Sequence, residues 1–425
     1  MQTIKIKNTD TVVYHKLLTN GLNVYFIPYK YKSNYFMSFG TKYGSLMRDF
    51  GNKEDKIKSY PLGIAHFLEH KMFETEKGED PFTFYSASGT DSNANTNYKL
   101  TQYICYGNNN IEKNLEFLLD YVSNPYFTDK NVEKEKGIIA QEIEMYDDDP
   151  EWMIDEEIRK AMFKVHPIRD DIAGTVKEIN KITKEDLYDC YNTFYQPSNM
   201  MLFISGKLNV KELEKIVDRY DKKNKSKKTP IYLKKYKEPE KVYKKEIIKE
   251  ANIAIPKFAY GIKINKEVLP KIDDIKIMMY INMFLNIKFG ITSNFREEMR
   301  NKELVTSLFV ETSMIDNFIT MIIFSETKQK DKLQKEIQKE LLLDDIKKED
   351  IERLKKVWIA SEITVSDNIE TIVNNYIYDL IEYNQIVDNR IGIIKELNLK
   401  ELKDVVSKID FSNYSSVLLK QKNTN

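Results

Sequence analysis

Two histidines and one glutamate of this chain have a spacing that can bind a metal ion and activate water. His66, Glu69 and His70 lie within the segment GIAHFLEHKMFE, Gly63–Glu74. On a helix, His66 and His70 are one turn apart and point the same way, so two neutral imidazoles can share one Zn²⁺. Glu69 lies on the same face, where its carboxylate can hold a water against the metal and take its proton. The segment therefore predicts a zinc site on a helix over Gly63–Phe73.

A catalytic zinc usually has three protein ligands and one open position, so a third ligand must come from elsewhere in the chain. The best candidates lie in EKEKGIIAQEIEMYDDDP, where Glu135 and Glu142 are seven residues apart and share one face of a predicted helix. Glu142 is flanked by Ile138, Ile139 and Ile143, and a buried carboxylate needs a partner such as a metal. On this pattern alone, a solvated helix carboxylate is the simpler interpretation of Glu142.

The composition predicts a soluble globular protein and argues against nucleic-acid or membrane partners. The chain has 425 residues, of which 41% are hydrophobic and 31% charged, which suits two to three domains. Lys and Arg together number 66, as do Asp and Glu, so no net charge favours nucleic acid or an anionic membrane. No apolar stretch approaches the roughly 18 residues of a membrane helix, and the N-terminus lacks the apolar segment of a secretory signal. The widely separated Cys105 and Cys190 predict free thiols in a cytoplasmic protein.

Periodicity and turn residues predict alternating strands and helices in the first half of the chain. Two paired strands are expected within Gly21–Ser45, and one strand over Asn93–Gly107. Amphipathic helices are expected over Asn110–Pro125 and Asp129–Pro150. The second of these helices carries both candidate glutamates.

A charged segment with two prolines, residues 221–245, is typical of a linker between domains. The predicted domains are an N-terminal metal-binding domain over residues 1–220 and a C-terminal homologous domain over 246–425. The second half repeats the style of the first, with strands, a long apolar helix around Ile277–Ile287, paired strands and Lys- and Glu-rich helices. All four histidines precede the linker, so the second domain cannot hold a copy of the metal site.

The order His-x-x-Glu-His is the inverted zincin signature, and further motifs accompany it. The matching positions are Gly89, Asn93, Ala94, Thr96, Thr101 and Tyr103 in SGTDSNANTNYKLTQY, Glu135 and Glu142 in EKEKGIIAQEI, and a run from His166 to Gly206. From Gly21 to Gly206 the chain resembles the pitrilysin/insulinase (inverzincin) family of zinc metallopeptidases, which includes the mitochondrial processing peptidases. The phrases TKYGS and VEKEKGII are most similar to its YmfH-like bacterial branch.

The resemblance implies a fold and a set of zinc ligands. The fold is α+β, with two homologous domains that are each a mixed, mainly antiparallel sheet flanked by helices, forming half of a clam-shell chamber. The implied ligands of one Zn²⁺ per chain are His66, His70 and Glu142. Glu135 is implied to orient these ligands.

The resemblance further implies that one strand binds the substrate as an extended peptide. The residues of this strand are Asn93, Ala94, Asn95 and Thr96. Taken without the resemblance, Asn93 and Thr96 fit an ordinary polar strand end equally well. The predicted activity is zinc-dependent endopeptidase cleavage of unstructured peptides, with Glu69 as general base.

One departure from the family concerns an Arg and a Tyr of the second domain that hold the substrate carbonyl. Arg300 fits the Arg position, but the Tyr position falls on Thr306 or Ser307, and no tyrosine occurs between Tyr280 and Tyr376. Arg300 by itself fits a surface helix as well as a catalytic role. The missing tyrosine predicts a homologous partner subunit, in a hetero- or homodimer, and makes this chain the metal-bearing subunit of a two-chain enzyme.

An alternative hypothesis is a non-catalytic family member that binds peptides or acts as a scaffold. The complete metal motif argues against this alternative. A redox or nucleic-acid role has no supporting feature, since the sequence has no cysteine pair, no excess of basic residues and no phosphate-binding loop. The expected location is the bacterial cytoplasm.

Overall fold

The structure is a computed structural model, and it describes residues 1–29, 33–225, 228–365 and 367–422. Its strands are β1 Gln2–Lys5, β2 Val12–Leu17, β3 Asn23–Pro28, β4 Tyr35–Thr41, β5 Asp49–Gly51, β6 Lys58–Ser59, β7 Asp91–Thr96, β8 Thr101–Gly107, β9 Met200–Gly206, β10 Tyr232–Leu233, β11 Glu246–Ala251, β12 Lys257–Asn265, β13 Ser307–Ile315, β14 Phe318–Glu326 and β15 Tyr414–Gln421. Its helices are α1 Ile64–Lys71, α2 Pro81–Ser86, α3 Ile111–Ser123, α4 Asp129–Asp147, α5 Pro150–Met162, α6 Val176–Ile179, α7 Lys184–Phe194, α8 Val210–Lys223, α9 Asp274–Phe289, α10 Asn294–Asn301, α11 Lys330–Leu342, α12 Lys348–Val365, α13 Ile369–Glu382, α14 Arg390–Glu396 and α15 Leu399–Ser407. The helices expected at the metal motif and at the candidate glutamates are α1 and α4.

The first unit is built on a seven-stranded sheet of order β1-β2-β3-β9-β4-β8-β7. Only the β3–β9 pair is parallel, and the other pairs of this sheet are antiparallel. The strands within Gly21–Ser45 form as expected, but their predicted pairing with each other is wrong, because β9 lies between β3 and β4. Every residue of β4 and of β9 is buried, which is typical of central strands covered on both faces.

The segment Asn93–Gly107 forms two strands, and the expectation of one strand is wrong. The chain turns back after β7, and the N–H of Asn97 donates to the carbonyl of Leu100. β7 and β8 therefore pair as an antiparallel hairpin that places Thr96 opposite Thr101. β7 is the outer strand of the sheet, and its outer edge pairs with no other strand among the described residues.

The second unit repeats the strand order of the first. Its five-stranded sheet has the order β11-β15-β12-β14-β13, in which only β11 and β15 are parallel. The same directions hold for β3-β9-β4-β8-β7 in the first unit. The core of the second unit is formed by this sheet with α9, ten of whose sixteen residues are buried. The fold is therefore the predicted α+β arrangement of mixed, mainly antiparallel sheets flanked by helices.

Each of the two compact units is formed by three separate segments of the chain. The first unit comprises Met1–Ile143, Asp171–Lys235 and Ile363–Asn389, and the remaining residues form the second. α5 packs against β12 and β15 of the second sheet, whereas α13 packs against β4 and β9 of the first. The unit to which α5 or α13 belongs cannot be predicted from its own sequence, because an amphipathic helix does not encode which sheet will cover its apolar face. Domain limits at 1–220 and 246–425 stay a prediction.

The segment predicted as a linker is partly ordered into secondary structure. α8 continues to Lys223, and β10 pairs with β5 in a small sheet of order β10-β5-β6. Within the described residues, none of the helices has both the length and the apolar character required to cross a membrane.

Candidate metal centre

α1 is held in place by a close contact at its first turn. Gly63 caps the helix with a φ of 82°, and a Cβ at this position would lie 2.2 Å from the carbonyl oxygen of Ala173. The helix packs against β7, β8 and α7, and seven of its eight residues are buried. The apolar side chains of α1 are therefore buried against these elements. The imidazoles of His66 and His70 are neighbours on the helix, with ring centroids 4.6 Å apart.

Three donor groups from α1 and α4 converge at one point. Nε2 of His66 lies 3.7 Å from Oε1 of Glu142, and Nε2 of His70 lies 3.4 Å from Oε2 of the same carboxylate. One ligand atom from each of these residues lies within 4.8 Å of the others, and no second group of this kind occurs in the described part of the chain. Tetrahedral bonds of about 2.0–2.1 Å place zinc ligands roughly 3.3 Å apart, so the donors fit a zinc ion after a small approach.

The surroundings of the two imidazoles also favour metal binding. Nδ1 of His70 lies 3.1 Å from Oε1 of Glu135, to which it donates a hydrogen bond, so Nε2 on the other side of the ring faces Glu142. His66 is buried, yet its Nδ1 has no hydrogen-bond partner among the described residues. A histidine that served only the core would use its ring nitrogens in hydrogen bonds. The two imidazoles therefore have surroundings that fit metal ligation, with a carboxylate bonded to one of them.

The two imidazoles differ in their affinity for protons when no metal is bound. Burial, together with the charge of His70, lowers the pKa of His66 to about 4. Burial also acts to lower the pKa of His70, but hydrogen bonds to Glu135 and Glu142 outweigh it and raise that pKa to about 9. Near neutral pH the metal-free pair therefore carries one positive charge, on His70, and the extra proton of this imidazolium must leave when a metal binds.

Glu69 is the third polar residue of the motif, and it is tied to the end of β7. Its side chain is buried, and its Oε2 accepts a hydrogen bond of 2.6 Å from the hydroxyl of Thr96. Thr101 lies 3.1 Å from the Thr96 hydroxyl and donates to the carbonyl of Tyr43. Burial raises the pKa of Glu69, although the bond from Thr96 acts in the opposite direction. The chain thus places a buried carboxylate in the same motif as the two candidate histidine ligands and holds it through one oxygen.

The predicted substrate strand coincides with most of β7. Asn93 and Asn95 are exposed, and Ala94 and Thr96 are half-buried. The side chain of Asn95 accepts a hydrogen bond from Gln102 on the neighbouring strand. The residues therefore lie on an edge strand whose outer backbone groups are available to a further strand.

Arg300 lies in the second unit, near the C-terminal end of α10. It is exposed and lines a surface cavity of about 540 Å³ together with Arg296 and Ser293. Glu303, which follows α10, has a φ of 55°, in the left-handed region that glycine favours. Thr306, which with Ser307 is one of the two candidates for the tyrosine position, donates its backbone N–H to the carbonyl of Glu326.

Two features of the centre differ from the sequence-based argument or were absent from it. The isoleucines around Glu142 suggested a buried carboxylate, but Glu142 is half-buried and Ile138 is 45% exposed, because that face of α4 is only partly covered. Glu135 is the buried carboxylate of the pair. Lys71 was missed, and its side chain is completely buried beside Glu135. The available signal was a lysine one turn after Phe67 in an otherwise apolar helical pattern.

Fold and site together define a two-domain α+β protein with an inverted zincin motif, and comparisons with known proteins give the family. Residues 51–176 match the model described as insulinase (peptidase family M16), and residues 181–357 match that of the peptidase M16 inactive domain. The uncharacterized zinc protease YmfH of Bacillus subtilis is 35% identical over 414 residues, 96% of each chain. The chain belongs to the insulinase family, peptidase family M16, as its motifs predicted.

A solved structure and a more distant relative extend this comparison. A putative M16-like peptidase from Alicyclobacillus acidocaldarius superimposes with a TM-score of 0.89 at 28% identity, covering 98% of this chain and 100% of that one. A probable mitochondrial-processing peptidase subunit beta of Schizosaccharomyces pombe is 25% identical over 222 residues, 51% of this chain and 46% of that one. The expected fold and the expected relation to the processing peptidases are both confirmed.

Proposed function

We propose that this chain is a zinc-dependent endopeptidase for unstructured peptides, with one Zn²⁺ bound by His66, His70 and Glu142. The observation that carries the proposal is the convergence of these three donors from two helices, with Glu69 beside them. The membership of the chain in a peptidase family and the name zinc protease of its relative YmfH support the same conclusion.

The residues of the centre would divide the work of hydrolysis between them. When bound, Zn²⁺ supplies Lewis acidity, which polarises a scissile carbonyl and lowers the pKa of a coordinated water toward about 7. Glu69 accepts the proton of the attacking water and passes it to the leaving amine. Glu135 holds the ring of His70 in the orientation that presents Nε2 to the metal. Thr96 holds Glu69 in place through its hydroxyl.

The edge strand β7 gives the proposal a substrate class. An extended peptide can pair with the outer edge of Asn93–Thr96 through main-chain hydrogen bonds, as in other cases of strand addition. The hydroxyl of Thr96 already contacts Glu69, so a peptide paired at this edge passes next to the general base. A segment that must become a strand cannot be part of a folded domain at the same time, and unstructured peptides are therefore the expected substrates.

We infer that a homologous partner subunit completes the enzyme and that both act in the bacterial cytoplasm. The second unit offers Arg300 but has no tyrosine in the corresponding stretch, so a clamp on the substrate carbonyl needs a residue from elsewhere. A processing peptidase among the relatives is itself named a subunit. The isolated chain is expected to bind zinc and to cleave peptides poorly. Robust cleavage by the isolated chain, unchanged by Arg300→Ala, would refute the inference that a partner subunit is required.

The decisive experiment compares Glu69→Gln with the wild type in zinc content and in peptide cleavage. The preparation is the chain with any partner that co-purifies with it. Glu69→Gln is expected to keep one equivalent of zinc and to lose turnover by roughly a hundredfold or more, the range for a lost general base. Glu144→Gln, an exposed carboxylate on α4, serves as the matched control and should retain turnover. Normal turnover by Glu69→Gln would show that another group takes the proton.

A non-catalytic, peptide-binding member is the alternative, and the description of the second model as an inactive domain favours it. Zinc analysis separates the two functions. One equivalent of zinc that is lost in His70→Ala supports the enzyme, whereas a wild-type chain without zinc that still binds peptides supports the alternative.

A further inference from the structure

Lys71 follows His70 directly in α1, and its side chain has a relative exposure of 0%. A buried ammonium group needs anionic partners, because removing it from water costs several kcal/mol. Lys71 has two such partners, Oε1 of Glu74 at 2.7 Å and Oε2 of Glu135 at 3.3 Å. Glu74 is partly exposed to solvent, whereas Glu135 is buried with Lys71.

Glu135 links this lysine to the metal centre, since it uses its two oxygens for two different partners. Oε1 accepts from Nδ1 of His70, and Oε2 accepts from Lys71. A carboxylate held at one oxygen can still turn about its terminal bond, whereas contacts at both oxygens fix its plane. The His70 ring is thus oriented by a carboxylate that is itself oriented by a lysine.

We propose that Lys71 is a positioning residue of the metal centre, which fixes the Glu135 carboxylate and through it the ring of His70. The proposal rests on the proposed function, because it takes His70 as a zinc ligand. Packing alone does not explain a lysine at this position, since a methionine would fill the same space without a buried charge.

The charge of Lys71 also acts directly on a dication, in the opposite direction. Positive charge near the site repels Zn²⁺, so removing the ammonium favours zinc binding, whereas losing the orientation of Glu135 disfavours it. The direct effect does not need Glu135, but the positioning effect does. A double-mutant cycle over Lys71 and Glu135 therefore isolates the positioning effect.

The experiment measures the zinc dissociation constant by competition with a chelator for the wild type, Lys71→Met, Glu135→Gln and the double variant. Loss of groups that orient zinc ligands costs roughly 10–100-fold in metal affinity. We expect Glu135→Gln to lie in that range and Lys71→Met to weaken binding about tenfold. The double variant should bind no more weakly than Glu135→Gln alone, because without the carboxylate the lysine has nothing to position.

Glu74→Gln is the matched control, since it removes the other anionic partner of Lys71 and leaves Glu135 unchanged. It should stay within about twofold of the wild-type zinc affinity. An effect of Lys71→Met on zinc affinity that is the same with and without the Glu135 carboxylate overturns the proposal, because the cycle then shows no coupling between the two residues. If Lys71→Met fails to fold, Lys71→Gln replaces it in the cycle, since the comparison needs a folded chain that lacks the ammonium and keeps Glu135. A wild-type chain that binds no zinc overturns the proposed function itself, and this result is seen before any variant is measured.

The metal-free protein provides a second readout that does not depend on zinc. Selective ¹⁵N labelling of histidine reports on only four side chains. The Nδ1–H proton of His70, which is bonded to Glu135, should be protected from exchange with water in the wild type and in Glu74→Gln. It should exchange at least several-fold faster in Lys71→Met. Equal exchange in all three proteins would show that Lys71 does not hold Glu135 on His70.

Discussion

The contact between Gly63 and Ala173 fixes the start of α1, and Gly63→Ala is the substitution that tests it. A Cβ at Gly63 would lie 2.2 Å from the carbonyl oxygen of Ala173, and one at Gly174 would lie 2.6 Å from the carbonyl oxygen of Leu62. Two stretches of backbone therefore touch at this point, where no side chain can fit between them. Either the segment around Ala173 or the first turn of α1 must shift to admit the alanine.

The expected cost of Gly63→Ala has two parts. Gly63 has a φ of 82°, and a residue with a Cβ pays about 1–2 kcal/mol in the left-handed region. Pressing a methyl group against fixed backbone adds about 1–3 kcal/mol, as overpacking usually does. The sum is about 2–5 kcal/mol. His66 lies three residues further on, so a shift of the first turn also displaces its imidazole, and each 1.4 kcal/mol lost in binding weakens zinc affinity about tenfold.

Gly78→Ala separates these two parts. Gly78 has a φ of 69°, but nothing lies within 4 Å of the position of its Cβ, so this substitution pays only the backbone cost. The assay is thermal unfolding of the metal-free variants, combined with zinc affinity from chelator competition. Gly63→Ala should unfold at a clearly lower temperature than Gly78→Ala and bind zinc more weakly, while Gly78→Ala keeps wild-type affinity. Equal losses in the two variants would refute the role of the contact with Ala173.

Two further substitutions test the general base and the core of the second unit. Thr96→Val removes the hydroxyl that holds Glu69. It should lower kcat roughly tenfold with zinc content and KM unchanged, as expected for a lost hydrogen bond to a charged group. A raised KM at constant kcat would assign Thr96 to substrate binding instead. Lys263→Met breaks an ion pair with Glu238 in which both side chains are at most 1% exposed, and it should destabilise the second unit by about 3–5 kcal/mol in urea unfolding. Lys241→Met, which removes an exposed ion pair, should change the free energy of unfolding by less than about 1 kcal/mol. Equal losses of stability in the two lysine variants would show that burial does not set the contribution of the Lys263–Glu238 pair.

The elements that carry the metal ligands could be predicted because their signals are local. The helical spacing of α1 and α4 follows from residues less than three turns apart, and each helix forms as expected. The match of Glu135 and Glu142 to a family pattern then selected the second helix. The roles of these residues stay predictions, but their meeting at one point agrees with the pattern.

The features that the sequence could not provide depend on contacts between distant residues. β9 lies between β3 and β4 although it is distant in sequence, since Met37 pairs with Ile204, 167 residues further along the chain. No periodicity marks such an insertion, because strands at the centre of a sheet look alike wherever they pair. The burial of Glu135 depends in the same way on distant residues, since His70 and Lys71 of α1 contact its carboxylate. The local signal for the hairpin of β7 and β8 was Asn97, since asparagine is one of the residues favoured in turns.

The repeated strand order separates what the fold requires from what the metal site requires. Between β4 and β7 the first unit carries α1 and α2, and between β12 and β13 the second unit carries α9 and α10. α9 covers its sheet with isoleucine, methionine and phenylalanine and has no histidine, whereas α1 includes His66, Glu69, His70 and Lys71. The same sheet therefore forms with an apolar helix at this place, and the polar residues of α1 are not needed for the fold. Buried charges of this kind are stabilising only when each has its partner. The two histidines and the glutamate of the α1 motif have no counterpart in α9, and this difference is what a site maintained for zinc chemistry, rather than for stability, would produce.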